Sequence, residues 1–127
     1  MIEARPSSKL AELAADLASD RKATDVVILD LTGLSAVTDY FVICTGRSDV
    51  HVQAVCERVL EGMREHGVKS ISTEGVRHGQ WALLDFGDVV VHVFQESVRR
   101  LYDLERLWMD APRWTYHAGS AIEVNRA

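Results

Sequence analysis

Apolar positions follow two periods along this chain. Leu10, Leu13, Ala14 and Leu17 recur at helical spacing behind Pro6-Ser7-Ser8, where a serine can cap free backbone N–H groups, so a first helix is expected there. Asp25 to Leu31 and Thr38 to Thr45 read as strands instead. Val26-Val27-Ile28-Leu29 and Tyr40-Phe41-Val42-Ile43-Cys44 are apolar without alternation, which predicts strands covered on both faces. Gly46-Arg47-Ser48-Asp49 interrupts the second strand and leads into a helix carrying Val52, Val55, Cys56, Val59, Leu60 and Met63 on one face. Gly67 is a stop signal for it. Gly62, inside it, costs about 1 kcal/mol relative to alanine and points to close packing. Ser70 to Glu74 then completes a βαβ crossover, expected to be right-handed.

A polar loop from Gly75 to Gln80 follows. Trp81 to Phe86 and Val89 to Phe94 flank Gly87-Asp88, the pattern of a hairpin. Ser97 is the expected cap of a last helix with Leu101, Leu104, Leu107 and Trp108 on one side, and Arg99 and Asp103 are spaced to interact on its surface. Pro112 ends it. The order is α-β-β-α-β-β-β-α. It predicts one α/β domain over residues 1–114, a mixed five-stranded sheet flanked by helices, and a loose C-terminal tail over 115–127.

Composition narrows the function classes. Fourteen basic against nineteen acidic residues in 127 leave a net charge of −5. Phosphate affinity comes mainly from clustered Lys and Arg, so little direct nucleic-acid binding is expected, and a basic protein patch is the better partner. Cys44 and Cys56 form no CxxC pair and sit in apolar runs, as small buried hydrophobes do in a reducing compartment. Met1 to Lys9 lacks the apolar core of a signal peptide, and no apolar stretch has membrane-spanning length. A cytoplasmic protein is expected, with no membrane partner.

Candidate chemistry is sparse. Gly46 and Ser48, between a strand and a helix N-terminus, resemble a phosphate turn. Nucleotidyltransferases combine such a turn with an Asp-x-Asp pair on a later strand, whose single spacer puts both carboxylates on one face to hold metal ions. Asp85 and Asp88 are three apart across the hairpin and would not converge, and Asp49 would repel a phosphate. The expectation is a plain helix start capped by Ser48 or Asp49, with no metal and no cofactor. A metal-dependent nucleotidyltransferase of atypical geometry is the alternative. The five histidines show no metal-ligand spacing. His51 reads as local structure and His92 as a hydrogen-bonded core or rim residue. Trp81 either covers the core edge, which spacing favours, or anchors an interface. Trp108 reads as core. Trp114 and Tyr116 either pack back or meet a partner.

Three separated stretches nevertheless carry a resemblance. Asp39-Tyr40-Phe41-Val42-Ile43 with Thr45-Gly46-x-Ser48 and His51 is the first. Glu74-Gly75 followed by Trp81-x-Leu83-Leu84-Asp85-Phe86-Gly87-Asp88-Val89-Val90-Val91-His92-Val93-Phe94 is the second. Arg100-x-Tyr102-Asp103-Leu104-Glu105-x-Leu107-Trp108-x-Asp110-Ala111-Pro112 is the third. In this order, from about Lys22 to Trp114, they resemble the Iojap-like ribosomal silencing factors (RsfS). The resemblance implies a nucleotidyltransferase-like fold without the catalytic carboxylates, and a protein that is not an enzyme. It implies binding to the fourteenth protein of the large ribosomal subunit, a steric block on subunit joining, and repression of translation when nutrients are scarce. Help in large-subunit assembly and self-association as a homodimer are implied as well. The contact region it implies is Trp81, Leu83, Leu84, Asp85, Phe86 and Asp88, with Phe86 standing where the family often has tyrosine.

Overall fold

A computed structural model describes residues 6–117 and 119–123. Residues 1–5 and 124–127, the outer ends of the expected domain and tail, lie outside the described residues. Among these, the order is α1 (Pro6–Asp20), β1 (Thr24–Asp30), β2 (Tyr40–Gly46), α2 (Asp49–Glu65), β3 (Ser72–Glu74), β4 (Trp81–Asp85), β5 (Val89–Gln95), α3 (Glu96–Tyr102), α4 (Leu104–Leu107), β6 (Arg113–His117) and β7 (Ser120–Glu123). The sheet has seven strands in the order β3-β4-β5-β2-β1-β6-β7. Among the described residues, only β2 and β5 pair in parallel; every other pair is antiparallel.

Burial explains the unbroken apolar runs. β1 and β2 lie inside the sheet, and Val26, Val27, Ile28 and Leu29 are all buried although they alternate between faces. On one face, α1 and α2 cover Val26, Ile28, Val42, Cys44, Val91 and Val93. The buried side of α1 is mostly alanine (Ala11, Ala14, Ala15 and Ala18), which lets the helix approach closely. Gly62 of α2 meets Leu17 of α1, and a Cβ there would stand 2.4 Å from Leu17 Cδ2. The close packing expected at that glycine is therefore present.

The opposite face is covered less completely. Val27, Leu29, Leu31, Ile43, Phe94 and Ala111 are buried there, with Phe41, Trp81, Val98, Leu104 and Trp108 half-buried over them. The α3–α4 segment lies against this face, yet neither helix contains a buried residue.

Several expectations need correction. The sheet has seven strands rather than five, because residues 113–117 and 120–123 form strands that run from the end of the expected domain into the stretch expected to be a loose tail, 115–127. Trp114 and Tyr116 are buried against the helix-covered face, and the Tyr116 hydroxyl donates to Asp16 at 3.2 Å, so both pack back. Their two-residue spacing was the available signal, too short to stand out beside charged neighbours. β3 does not sit beside β2: it runs at the sheet edge against β4, and β5 is the parallel neighbour of β2. The last helix is not continuous. Asp103 takes a left-handed conformation (φ 47°) that separates α3 from α4 and leaves Leu101 and Leu107 exposed. Gln95, not Ser97, is the α3 N-cap, and Arg99 pairs with Glu105 at 2.9 Å rather than with Asp103.

Candidate functional site

Strand β4 sorts the residues of the expected contact region. Successive side chains of a strand point to opposite faces, so Trp81, Leu83 and Asp85 share one face and Ala82 and Leu84 the other. Leu84 is 0% exposed and Phe86, just past the strand, is also buried, both in the cluster beneath α1 and α2. These two are core residues and offer no surface to a partner. Trp81, Leu83 and Asp85 face away from those helices and are half-buried, while Asp88 at the hairpin tip is exposed. A pair of substitutions separates the roles. Leu84→Ala is expected to cost about 3 kcal/mol of folding stability. Leu83→Ala should cost about 1 kcal/mol, its side chain being only part-covered; urea denaturation of both variants checks the difference.

Around Trp81 the outer face is aromatic. Its ring stacks on Phe94 with centroids 4.9 Å apart and meets Tyr102 at 4.7 Å. Phe41 packs edge-on to His92 at 4.5 Å and to Trp108 at 6.1 Å. Tyr102 remains 54% exposed, beside Leu101 at 77%. Carboxylates border this strip: Glu74 stands opposite Leu83 across β3–β4, and residues directly opposite share a face. Asp85 Oδ1 accepts the Gly87 N–H at 2.8 Å, which shapes the hairpin turn. The Asp88 carbonyl accepts the N–H groups of Asp39 and Tyr40, tying the turn to the start of β2.

His92 lies beneath the strip, 3% exposed, and its Nδ1 accepts the Trp81 indole N–H at 3.1 Å. Burial holds its pKa down at about 4, against an ordinary 6.5. The unfolded chain therefore takes up the proton at higher pH than the folded one. Stability is complete above about pH 6.5 and is lost as pH falls toward 4, by about 3 kcal/mol from this group. Thermal melts from pH 7 to pH 4 should show this loss, and substitution of His92 should remove it.

Gly46 and Ser48 serve the start of α2. Ser48 Oγ accepts the His51 N–H at 3.1 Å as the N-cap. His51 closes the turn with its ring: Nδ1 accepts the Arg47 N–H at 2.8 Å, and Nε2 donates to the Arg21 carbonyl at 2.6 Å. A Cβ on Gly46 would stand 2.8 Å from Val52 Cγ2, so packing alone accounts for the glycine. Gly46 is level with Gln95 at one end of the parallel pair, whereas Asp85 is level with Val90. Five residues of strand separate them, about 17 Å. The turn and the acidic pair therefore do not form one site. Among the described residues, no group of three or more His, Cys, Asp or Glu could hold a metal ion. No helix among them is long and apolar enough to cross a membrane.

One polar cluster went unseen in the sequence. Arg99 donates to Glu105, to the Asp25 carbonyl and to Thr45 Oγ1, and Arg113 donates to the other oxygen of Glu105. These residues line a groove of about 330 Å³ between β1, β6 and α3. They come from five separate elements, so no local spacing announces them. The cluster fastens the α3–α4 segment to the sheet. Cys44 and Cys56 are free and buried, and burial pushes both thiols up to about 12, which keeps them unreactive.

The sequence model of the family described as "Ribosomal silencing factor during starvation" (RsfS) matches residues 4–126. The ribosomal silencing factor RsfS of Bacillus subtilis is 45% identical over 101 residues, 80% of this chain and 86% of that protein. The chloroplastic protein Iojap of Zea mays is 37% identical over 100 residues, 76% of this chain but 42% of that longer protein. Among solved structures, a crystal structure of a Chromobacterium violaceum protein superposes with a TM-score of 0.81 at 35% identity, covering 83% of this chain and 88% of that one.

Proposed function

Because the chain belongs to the ribosomal silencing factor family, we propose that it binds the large ribosomal subunit and prevents the small subunit from joining. The partner is the fourteenth large-subunit protein, and translation is repressed by occupancy, without chemistry. The observation that carries this reading is the uncovered strip of the outer sheet face around Trp81, Leu83 and Tyr102. Aromatic residues that are half-buried but not covered can anchor an interface, since docking removes the rest of their apolar area from water. The carboxylates of Glu74, Asp85 and Asp88 around the strip suit a basic patch on a ribosomal protein. They also repel bare RNA, which favours a protein contact over rRNA.

The separation of about 17 Å between the Gly46–Ser48 turn and the Asp85–Asp88 hairpin weighs against the nucleotidyltransferase alternative. Two copies pairing through the same strip would cover it, so a homodimer off the ribosome would compete with docking. A cytoplasmic factor acting during nutrient scarcity, with a further part in large-subunit assembly, is consistent with this mode of action. Co-sedimentation with purified large subunits tests the proposal. Stable binding, and fewer joined ribosomes when small subunits are added, is the expected result. No binding at physiological salt would overturn it.

A further inference from the structure

We propose that His92 is a positioning residue for the contact strip: its Nδ1 captures the Trp81 indole N–H and fixes the ring so that a partner meets an apolar surface. This rests on Trp81 being an anchor, as proposed above. The geometry is specific. Trp81 faces Phe94 and Leu83 faces His92 across β4–β5, so His92 lies diagonally beside Trp81 on the same sheet face. The indole donates across that diagonal at 3.1 Å while its ring stacks on Phe94. One contact fixes the plane of the ring and the other fixes which edge points inward.

The chemistry of the histidine supports a positioning role. An acceptor at Nδ1 requires the neutral ring with its proton on Nε2. Burial keeps the ring neutral at physiological pH, with a pKa of about 4. Nε2 is buried and finds no hydrogen-bond partner among the described residues. A leucine or phenylalanine would fill the same space between Phe41 and Phe94 without leaving a polar atom unpaired. What the imidazole adds is the acceptor for Trp81. With its N–H held inside, Trp81 presents no donor to the surface, so the partner atoms over its ring should be aliphatic or aromatic carbon. A backbone carbonyl seeking a donor would gain nothing there.

Two substitutions test this on the full chain. His92→Leu keeps the volume and removes the acceptor, whereas His92→Asn carries an amide oxygen close to the position of Nδ1. In the free protein, hydrogen exchange of the Trp81 indole N–H, followed by nuclear magnetic resonance, should be roughly tenfold faster in His92→Leu and near the parent rate in His92→Asn. Affinity for large subunits should fall roughly tenfold in His92→Leu and recover in His92→Asn. If His92→Leu does not fold, His92→Gln, whose amide reaches toward the Nε2 position instead, is the mismatched variant. Unchanged indole exchange in the mismatched variant would overturn the positioning role, as would a loss of affinity that asparagine does not restore. Faster indole exchange in His92→Leu than in the parent, in a protein that binds no subunits, would leave the geometry intact and refute the ribosomal reading instead.

Discussion

Trp81→Ala should weaken binding to the large ribosomal subunit by about 2 kcal/mol or more, roughly thirtyfold. The ring is the centre of the outer strip, touching Phe94, Tyr102 and His92, and its half-buried state leaves apolar area for a partner to cover. Its removal also uncovers Phe94 and leaves His92 Nδ1 without its donor, so folding stability should fall by about 2 kcal/mol as well. Leu84→Ala provides the comparison, since it destabilises the core beneath α1 and α2 without touching the strip. Co-sedimentation at a temperature where both variants are folded should show a binding defect only for Trp81→Ala. Equal binding by both would remove Trp81 from the interface.

Gly75→Ala should be the most destabilising of the glycine substitutions outside the helices, at about 3 kcal/mol or more. Gly75 closes β3 with φ +74°, a conformation that costs an L-residue on the order of 1 kcal/mol. The larger cost is steric. A Cβ there would stand 2.0 Å from the Trp81 carbonyl oxygen, a backbone atom that cannot rotate away. Either β3 leaves the sheet edge or Trp81 shifts, and the second outcome would disturb the contact strip. Gly33 is the control: its φ is +82°, but nothing lies within 4 Å of an added Cβ. Gly33→Ala should therefore lose only about 1 kcal/mol. Urea denaturation of the two variants decides the matter, and equal losses would contradict the steric argument.

The legible parts of this fold are those where local pattern and burial coincide. β1 and β2 announced themselves because both of their faces are covered, which turns alternation into an unbroken apolar run. The α2 stripe, its Ser48 cap and the Gly87-Asp88 hairpin are likewise local features, each complete within about a dozen residues. The misses share a different cause. The break at Asp103 is a tertiary outcome: Arg99 reaches Glu105, Asp25 and Thr45, and a continuous helix would carry Glu105 elsewhere. β6 is a strand because β1 offers it an edge to pair with, and its own five residues give only a weak two-residue alternation. The place of β3 depends on which edge was still unpaired.

The candidate site shows the same division within one strand. By itself the sequence determined that Trp81, Leu83 and Asp85 share a face and that Ala82 and Leu84 share the opposite one, because alternation is a property of the extended backbone. It also determined the family, through motifs spread over most of the chain. Which face of β4 would be buried was decided only by the tertiary structure, when α1 and α2 packed together on one side of the sheet and sealed Leu84 and Phe86 beneath them. Both faces of β4 carry a leucine and apolar neighbours, so hydropathy gives each about the same claim on the core. The packing of distant helices broke that tie and left the tryptophan face partly open.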